Sequence, residues 1–208
     1  QVMLSDRRCP LDIRLEAFNP MIPADAEESG LPFIALRYVL KNKTRQNVTA
    51  AVAGHILNFI GHHAQKLSVP KQNRIRHRKT KGLNGLFYDS KGVNPNAEAF
   101  GTMALATTST TGVTWREAHI DFAFDGLLDF WDDFSDDGAM DKPKLVRDKD
   151  LATGALAVRK QLKPGQEADI TFLLAWHFPN RFSWTQQACC DTEGEDEFEA
   201  GTMFDHFA

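Results

Sequence analysis

An acidic cluster in the second half of the chain is the pattern closest to a catalytic arrangement. Five aspartates surround Trp131 in the sequence: Asp129, Asp132, Asp133, Asp136 and Asp137. Retaining glycosidases need two carboxyl groups about 5–5.5 Å apart, one of which burial keeps protonated. On a helix, Asp129 and Asp133 would come near that separation because they are four residues apart. The same pattern is typical of a charged helix face. We favour this second interpretation and assign no catalytic residue.

Other catalytic and metal-binding motifs are absent from the sequence. The seven histidines follow no metal-ligand spacing, and the adjacent His62 and His63 would point to opposite faces of a strand. There is no CxxC, HExxH or EF-hand motif, no GxSxG motif, and no P-loop or GxGxxG motif. We therefore expect no metal site and no cofactor.

Tryptophan side chains are the second kind of candidate, since an exposed indole ring can stack against a sugar ring. Trp176 lies in the run 172–176, which is apolar on both strand faces and therefore predicts a core position. Trp184 follows the end of that predicted strand, where exposure is expected. We take Trp184 and Trp131 as candidate carbohydrate contacts.

Two runs of like charge stand out against a net charge of −4. Residues 62–81 carry seven Lys or Arg and no acid, whereas residues 191–199 carry six Asp or Glu and no base. The basic run has no aromatic side chain to stack on a base, and the chain as a whole is not basic. We interpret both runs as solvated surface loops or mobile segments and expect no nucleic-acid partner.

The elements that position these residues are predicted mainly by alternation of apolar and polar side chains. With 208 residues, 42% of them hydrophobic, the chain is long enough for a substantial core. A helix is expected over residues 126–134, ended by Gly138, and a type II turn at residues 163–166. Strands are expected at residues 11–17, 33–40, 48–60, 85–88, 102–108, 113–116, 155–162 and 168–178.

This pattern predicts an all-β fold, an antiparallel β-sandwich with one short helix and long loops. The short polar segment 42–47 suggests a hairpin between the second and third predicted strands. We expect residues 1–190 to form the sandwich domain and residues 191–208 to be an acidic tail.

The cysteines and the hydropathy limit the setting of the chain. Cys9, Cys189 and Cys190 are odd in number and imply no disulfide framework, and reduced thiols favour a cytoplasmic setting. No run approaches the roughly 18 apolar residues of a transmembrane helix. The chain does not begin with Met, and we expect it to be part of a longer polypeptide.

Three segments resemble the N-terminal region of glycoside hydrolase family 116, the β-glucosidases related to non-lysosomal glucosylceramidase. They are residues 10–23 with their continuation through residue 42, residues 129–138 and residues 171–181. Their order and spacing match over roughly residues 10–184. The resemblance implies an N-terminal antiparallel β-sandwich followed by an (α/α) barrel that carries the catalytic carboxylates, beyond the end of this chain.

The resemblance leads to the functional expectation. The chain is expected to be a non-catalytic domain of a retaining β-glucosidase or glucosylceramidase-like hydrolase, packed against the catalytic barrel, with a β-glucoside or glycolipid substrate at the domain boundary. The alternative is a free-standing carbohydrate-binding module that uses exposed tryptophans.

Overall fold

The computed structural model describes residues 1–61, 72–119, 124–141 and 153–180. Ten strands and two helices occur within these residues. The strands are β1 (Val2–Leu4), β2 (Leu11–Phe18), β3 (Phe33–Asn42), β4 (Val48–Leu57), β5 (Asn73–Thr80), β6 (Leu83–Ser90), β7 (Thr102–Thr107), β8 (Val113–His119), β9 (Thr153–Leu162) and β10 (Glu167–His177). The helices are α1 (Ala26–Ser29) and α2 (Phe124–Asp137).

The strands form two sheets. The larger sheet has the order β1-β2-β3-β10-β7-β6-β5, the smaller one has the order β4-β9-β8, and each strand pairing is antiparallel. The all-β antiparallel sandwich predicted from the sequence is confirmed, and each predicted strand is present.

The core lies between the two sheets. Leu86 and Ile170 of the larger sheet pack in one cluster with Leu156, Val158 and Leu162 of the smaller sheet, and all five are at most 1% exposed. Trp176 is half-buried against this cluster, as its apolar surroundings predicted. Burial of these alternating side chains is the main force that holds the layers together.

The predicted hairpin between β3 and β4 is wrong, because these strands belong to different sheets. The segment between them crosses from one layer to the other around the fully buried side chain of Asn42. Its amide nitrogen donates to the carbonyls of Gln46 at 2.7 Å and Leu162 at 3.1 Å. Its amide oxygen accepts from the Thr44 N–H at 2.9 Å. These bonds pair backbone groups where the chain crosses from one sheet to the other.

The predicted turn at residues 163–166 is confirmed. Gly165 has a φ of 71°, and the Gln166 N–H donates to the Lys163 carbonyl at 3.0 Å. A positive φ at this third position is what a type II turn requires. This turn is also a crossover, since it joins β9 of the smaller sheet to β10 of the larger one.

Part of the basic run is a strand, so its interpretation as a solvated loop is wrong for residues 73–80. β5 alternates: Ile75 is buried and His77 half-buried on the inner side, whereas Arg76 and Arg78 are exposed. The density of charge concealed this period-2 pattern. β1 and α1 were also not predicted. Residues 62–71 and the tail at 191–208 lie outside the described residues.

Candidate functional site

Helix α2 packs against the outer face of the smaller sheet. Its Phe130 is buried, and Phe134 is half-buried, against Ala155 and Ala157 of β9 and Ala53 of β4. The two β9 alanines alternate with Leu156 and Val158, which point into the main core. Small side chains on the outer face let the helix approach the sheet closely. The helix is longer than predicted and ends at Gly138, as expected.

The spaced pair Asp129 and Asp133 binds one buried guanidinium. The Arg116 side chain, 4% exposed on β8, places Nη1 at 2.6 Å from Asp129 Oδ2 and Nη2 at 2.8 Å from Asp133 Oδ2. Its Nε donates to the Asp141 carbonyl at 2.6 Å. Both carboxylates are thus engaged by a single buried cation on the neighbouring strand. This pair therefore attaches the helix to the sheet.

Of the two candidate carbohydrate contacts, the structure describes Trp131 but not Trp184. Trp131 is 58% exposed on α2, next to the exposed Leu127 and Leu128. Its exposure leaves the indole ring accessible, and its contact with sugar stays a prediction. Trp184 lies outside the described residues.

An open cleft of about 660 Å³ lies where the C-terminal end of α2 meets the smaller sheet. The strands contribute Thr49 and Ala51 of β4 and Arg159 and Gln161 of β9, and the helix end contributes residues 134–138. Thr49 pairs with Gln161 and Ala51 with Arg159 in the sheet register. The cleft thus has a strand wall of mixed polarity and a helix wall with an aromatic ring and carboxylates.

Specific contacts fix the shape of this cleft. Gly138 has a φ of 78°, and a Cβ there would lie 2.7 Å from the Ala51 Cβ, so glycine lets the helix end approach the strand. Arg159 Nη1 donates to the Asp137 carbonyl at 3.1 Å and lies 3.0 Å from Asp137 Oδ2. Gln161 Nε2 donates to Thr49 Oγ1 at 2.9 Å. These bonds hold the two walls in place.

The sequence reasoning did not identify the strand wall of the cleft. Thr49 and Gln161 are 112 residues apart and meet only because β4 and β9 pair. A polar residue at the end of a strand is the one local signal, and it is shared by many strands that bind nothing.

The basic strand β5 has partners within the fold. Arg74 makes two hydrogen bonds to the Asp89 carboxylate, at 2.7 and 2.6 Å, and Arg76 also contacts that carboxylate. The Arg78 guanidinium lies 4.0 Å from the centre of the Phe87 ring. These contacts place much of the charge in ion pairs and a cation–π contact on the outer face of the sheet.

The His77 side chain points to the inner face of β5 and packs between the two sheets near their edge. Its ring stacks on Trp115 with centroids 3.5 Å apart, and Nε2 lies 2.6 Å from Asn84 Oδ1. Within the described ranges, no three His, Cys, Asp or Glu side chains are grouped for a metal ion. No helix in this part of the chain is long and apolar enough to cross a bilayer.

A second surface feature is an apolar edge near the start of the chain. β1 is the first strand in the order of the larger sheet and pairs on one side with β2. The N-terminal apolar edge comprises seven large hydrophobic side chains that are 38–79% exposed: Val2, Met3, Leu4, Phe18, Met21, Ile22 and Leu31. Exposed apolar side chains at a sheet edge are typical of a surface covered by a partner.

Comparison with protein families now identifies the chain. A family model described as beta-glucosidase 2, glycosyl-hydrolase family 116 N-term, matches residues 1–202. The chain belongs to the N-terminal domain family of glycosyl hydrolase family 116. The resemblance found in the sequence is confirmed, and the family 116 N-terminal domain is here a two-layer antiparallel sandwich.

Among solved structures, this family 116 domain is similar to a putative kojibiose phosphorylase from human microbiome. That similarity has a TM-score of 0.38 and 11% sequence identity, and it covers 80% of this chain. The domain spans 16% of the length of that solved chain. No curated protein matches the sequence.

Proposed function

We propose that this chain is the non-catalytic N-terminal β-sandwich domain of a retaining β-glucosidase or glucosylceramidase-like hydrolase. In this proposal it packs against a catalytic (α/α) barrel of the same polypeptide, with a β-glucoside or glycolipid substrate at the domain boundary. The proposed sandwich domain is residues 1–190, and residues 191–208 are the proposed acidic tail. The observation that carries the proposal is the family match over residues 1–202.

The environment of the carboxylates supports a non-catalytic role. Asp129 and Asp133, the spaced pair on α2, both bind Arg116. A retaining glycosidase needs one carboxyl group that donates a proton and a second that attacks the sugar. The ion pairs of Asp129 and Asp133 with Arg116 instead support a structural role for this pair, the attachment of α2 to the sheet.

The N-terminal apolar edge supports packing against another domain. Its exposed side chains lie on the edge strand β1, at the end of β2 and in the segment between β2 and β3. An unpartnered apolar sheet edge in water favours association, and a large domain of the same polypeptide would cover it.

Enzymatic assay of the 208-residue chain tests the first part of the proposal. We expect no hydrolysis of an aryl β-glucoside above the level of the heat-denatured chain. Turnover that persists through repeated purification and follows the protein through a sizing column would contradict a non-catalytic role.

A binding assay tests the second part. The chain is mixed with a separately expressed catalytic domain of its own parent polypeptide, and complex formation is followed by sedimentation. Met3→Asp, in the N-terminal apolar edge, is expected to weaken the complex about tenfold because it places a charge in an apolar interface. Leu83→Asp, at the exposed first residue of β6, is the matched control and leaves the affinity unchanged. Equal effects of the two variants would exclude this edge as the interface.

A further inference from the structure

We propose that the cleft between the end of α2 and the smaller sheet binds a neutral pyranose sugar. The inference depends on the lining of the cleft alone and holds or fails independently of the proposed function. A volume of about 660 Å³ lies within the range of small-molecule sites, about 300–1,000 Å³.

The Phe134 ring provides the apolar contact that a pyranose needs, since it lines the cleft. Trp131 lies outside the lining, one helical turn earlier, with its ring centroid 6.5 Å from that of Phe134 and the two ring planes at 55°. A pyranose has one face of C–H groups, and an aromatic ring fits against such a face.

Polar side chains on the strand wall provide hydrogen bonds to hydroxyl groups. Gln161 uses one N–H to reach Thr49 Oγ1, and its carbonyl oxygen and second N–H have no partner within the described part of the chain. Asp136, exposed on the helix wall, likewise has no hydrogen-bond partner among the residues that the structure describes. The cleft thus offers both donors and acceptors, which suits hydroxyl groups because each both donates and accepts.

The charges favour a neutral ligand over an anion. The one guanidinium of the cleft, on Arg159, already bonds the carboxylate and the carbonyl of Asp137. Asp136 adds a further negative charge, and the negative end of the α2 dipole lies at the same place. A phosphate or carboxylate would meet net negative potential here, whereas a neutral polyol would meet only hydrogen-bonding groups.

Titration of the 208-residue chain, followed through backbone amide NMR signals, tests the inference. Methyl β-glucopyranoside and cellobiose are the neutral probes, and inorganic phosphate is the anionic probe. Both sugars are expected to give saturable shifts at residues 49–51, 134–138 and 159–161, with a dissociation constant on the order of 1 mM for so open a site. Phosphate is expected to give no saturable shift at these residues.

Two variants on the same helix separate a built site from a surface effect. Asp136→Ala removes the free acceptor and is expected to weaken sugar binding about fivefold, the equivalent of one hydrogen bond. Asp132→Ala removes the same charge from an exposed position outside the cleft and leaves the affinity unchanged.

The inference is overturned by any of four results. These are no saturable response to either sugar at about 50 mM, shifts that map to another surface, an equal loss of affinity in Asp132→Ala and Asp136→Ala, and saturable binding of phosphate in the cleft. Thermal melting of each variant shows whether α2 stays folded, so a change in affinity is assigned to the cleft itself.

Discussion

The side-chain amide of Asn42 donates a hydrogen bond of 3.1 Å to the carbonyl of Leu162, which lies 120 residues further along the chain. The backbone of Asn42 also pairs with the turn after β9: its N–H donates to the Gln166 carbonyl, and its carbonyl accepts from the Gly165 N–H, both at 3.0 Å. Two of the crossovers between the sheets, after β3 and after β9, are therefore joined at a single buried residue.

Substitution of Asn42 tests this joint. Asn42→Ala leaves the Leu162 and Gln46 carbonyls and the Thr44 N–H without their partner, and it is expected to lower the free energy of unfolding by about 2–3 kcal/mol. Urea unfolding measures the change. Asn94→Ala is the matched control, because the Asn94 side chain accepts from the Asn96 N–H in an exposed loop, and it is expected to cost less than about 1 kcal/mol. Similar losses in the two variants would contradict the role of Asn42.

Removal of the buried cation beneath α2 tests the attachment of the helix. Arg116→Met leaves the Asp129 and Asp133 carboxylates repelling each other, and we expect a loss of about 3 kcal/mol in the free energy of unfolding. Arg159→Met removes a 43% exposed cation from Asp137 and is expected to cost about 1 kcal/mol or less. Chemical denaturation of both variants gives the comparison, and an equal cost would mean that Arg116 does not carry the attachment.

The buried hydroxyl of Tyr88 is expected to cost stability. Tyr88 is fully buried, burial raises the pKa of its hydroxyl well above the usual range, and that oxygen has no hydrogen-bond partner among the described residues. Tyr88→Phe is therefore expected to raise the free energy of unfolding by about 1 kcal/mol. A loss of stability would show that the hydroxyl has a partner.

The close approach of Gly154 to Tyr88 gives a second test of the same contact. A Cβ at residue 154 would lie 2.5 Å from the Tyr88 hydroxyl oxygen. Gly154→Ala is expected to destabilise the sandwich by about 2 kcal/mol, and Tyr88→Phe in the same chain should recover part of that loss. Additive effects in the double-variant cycle would contradict the contact.

His55 predicts how stability depends on pH. The His55 ring packs on Phe130 with centroids 4.9 Å apart. Although the residue keeps an exposed surface, partial burial of the ring holds its pKa below the ordinary value of 6.5. The unfolded chain therefore binds this proton more readily than the folded chain, and stability falls as the pH drops below about 6.5.

Urea unfolding at pH 7.5 and pH 5.5 measures this dependence. His55→Gln should reduce the difference between the two conditions, whereas His177→Gln, at an exposed position at the end of β10, should leave it unchanged. A difference that persists in full in His55→Gln would assign it to another group.

Much of the fold follows from local pattern, and the layer to which each strand belongs does not. Alternation of apolar and polar residues predicted β2, and runs of mainly apolar residues predicted β3 and β9. The polar segment after β3 predicted a hairpin, since nothing local tells a turn within a sheet from a crossover between sheets. The crossover is stabilised by the hydrogen bond from Asn42 to Leu162, and these residues are too far apart in the sequence for a local pattern to show it.

The candidate site was predictable only on its helix side. The acidic pattern and Trp131 pointed to α2, whereas the partner that explains the acids, Arg116, lies on a strand in a different part of the sequence. The strand wall of the cleft also combines residues that are distant in sequence, because Thr49 and Gln161 come together only through sheet pairing.

The order of the strands has a consequence for how the protein is made. β9 (Thr153–Leu162) is the middle strand of the smaller sheet, and β10 (Glu167–His177) is the middle strand of the larger one, although both come last among the strands described. During synthesis on the ribosome, neither sheet can close until these two segments have emerged. Until then the nascent chain exposes strands that have no neighbour on one side. Chaperone binding is therefore expected to persist until residue 177 has emerged from the ribosome.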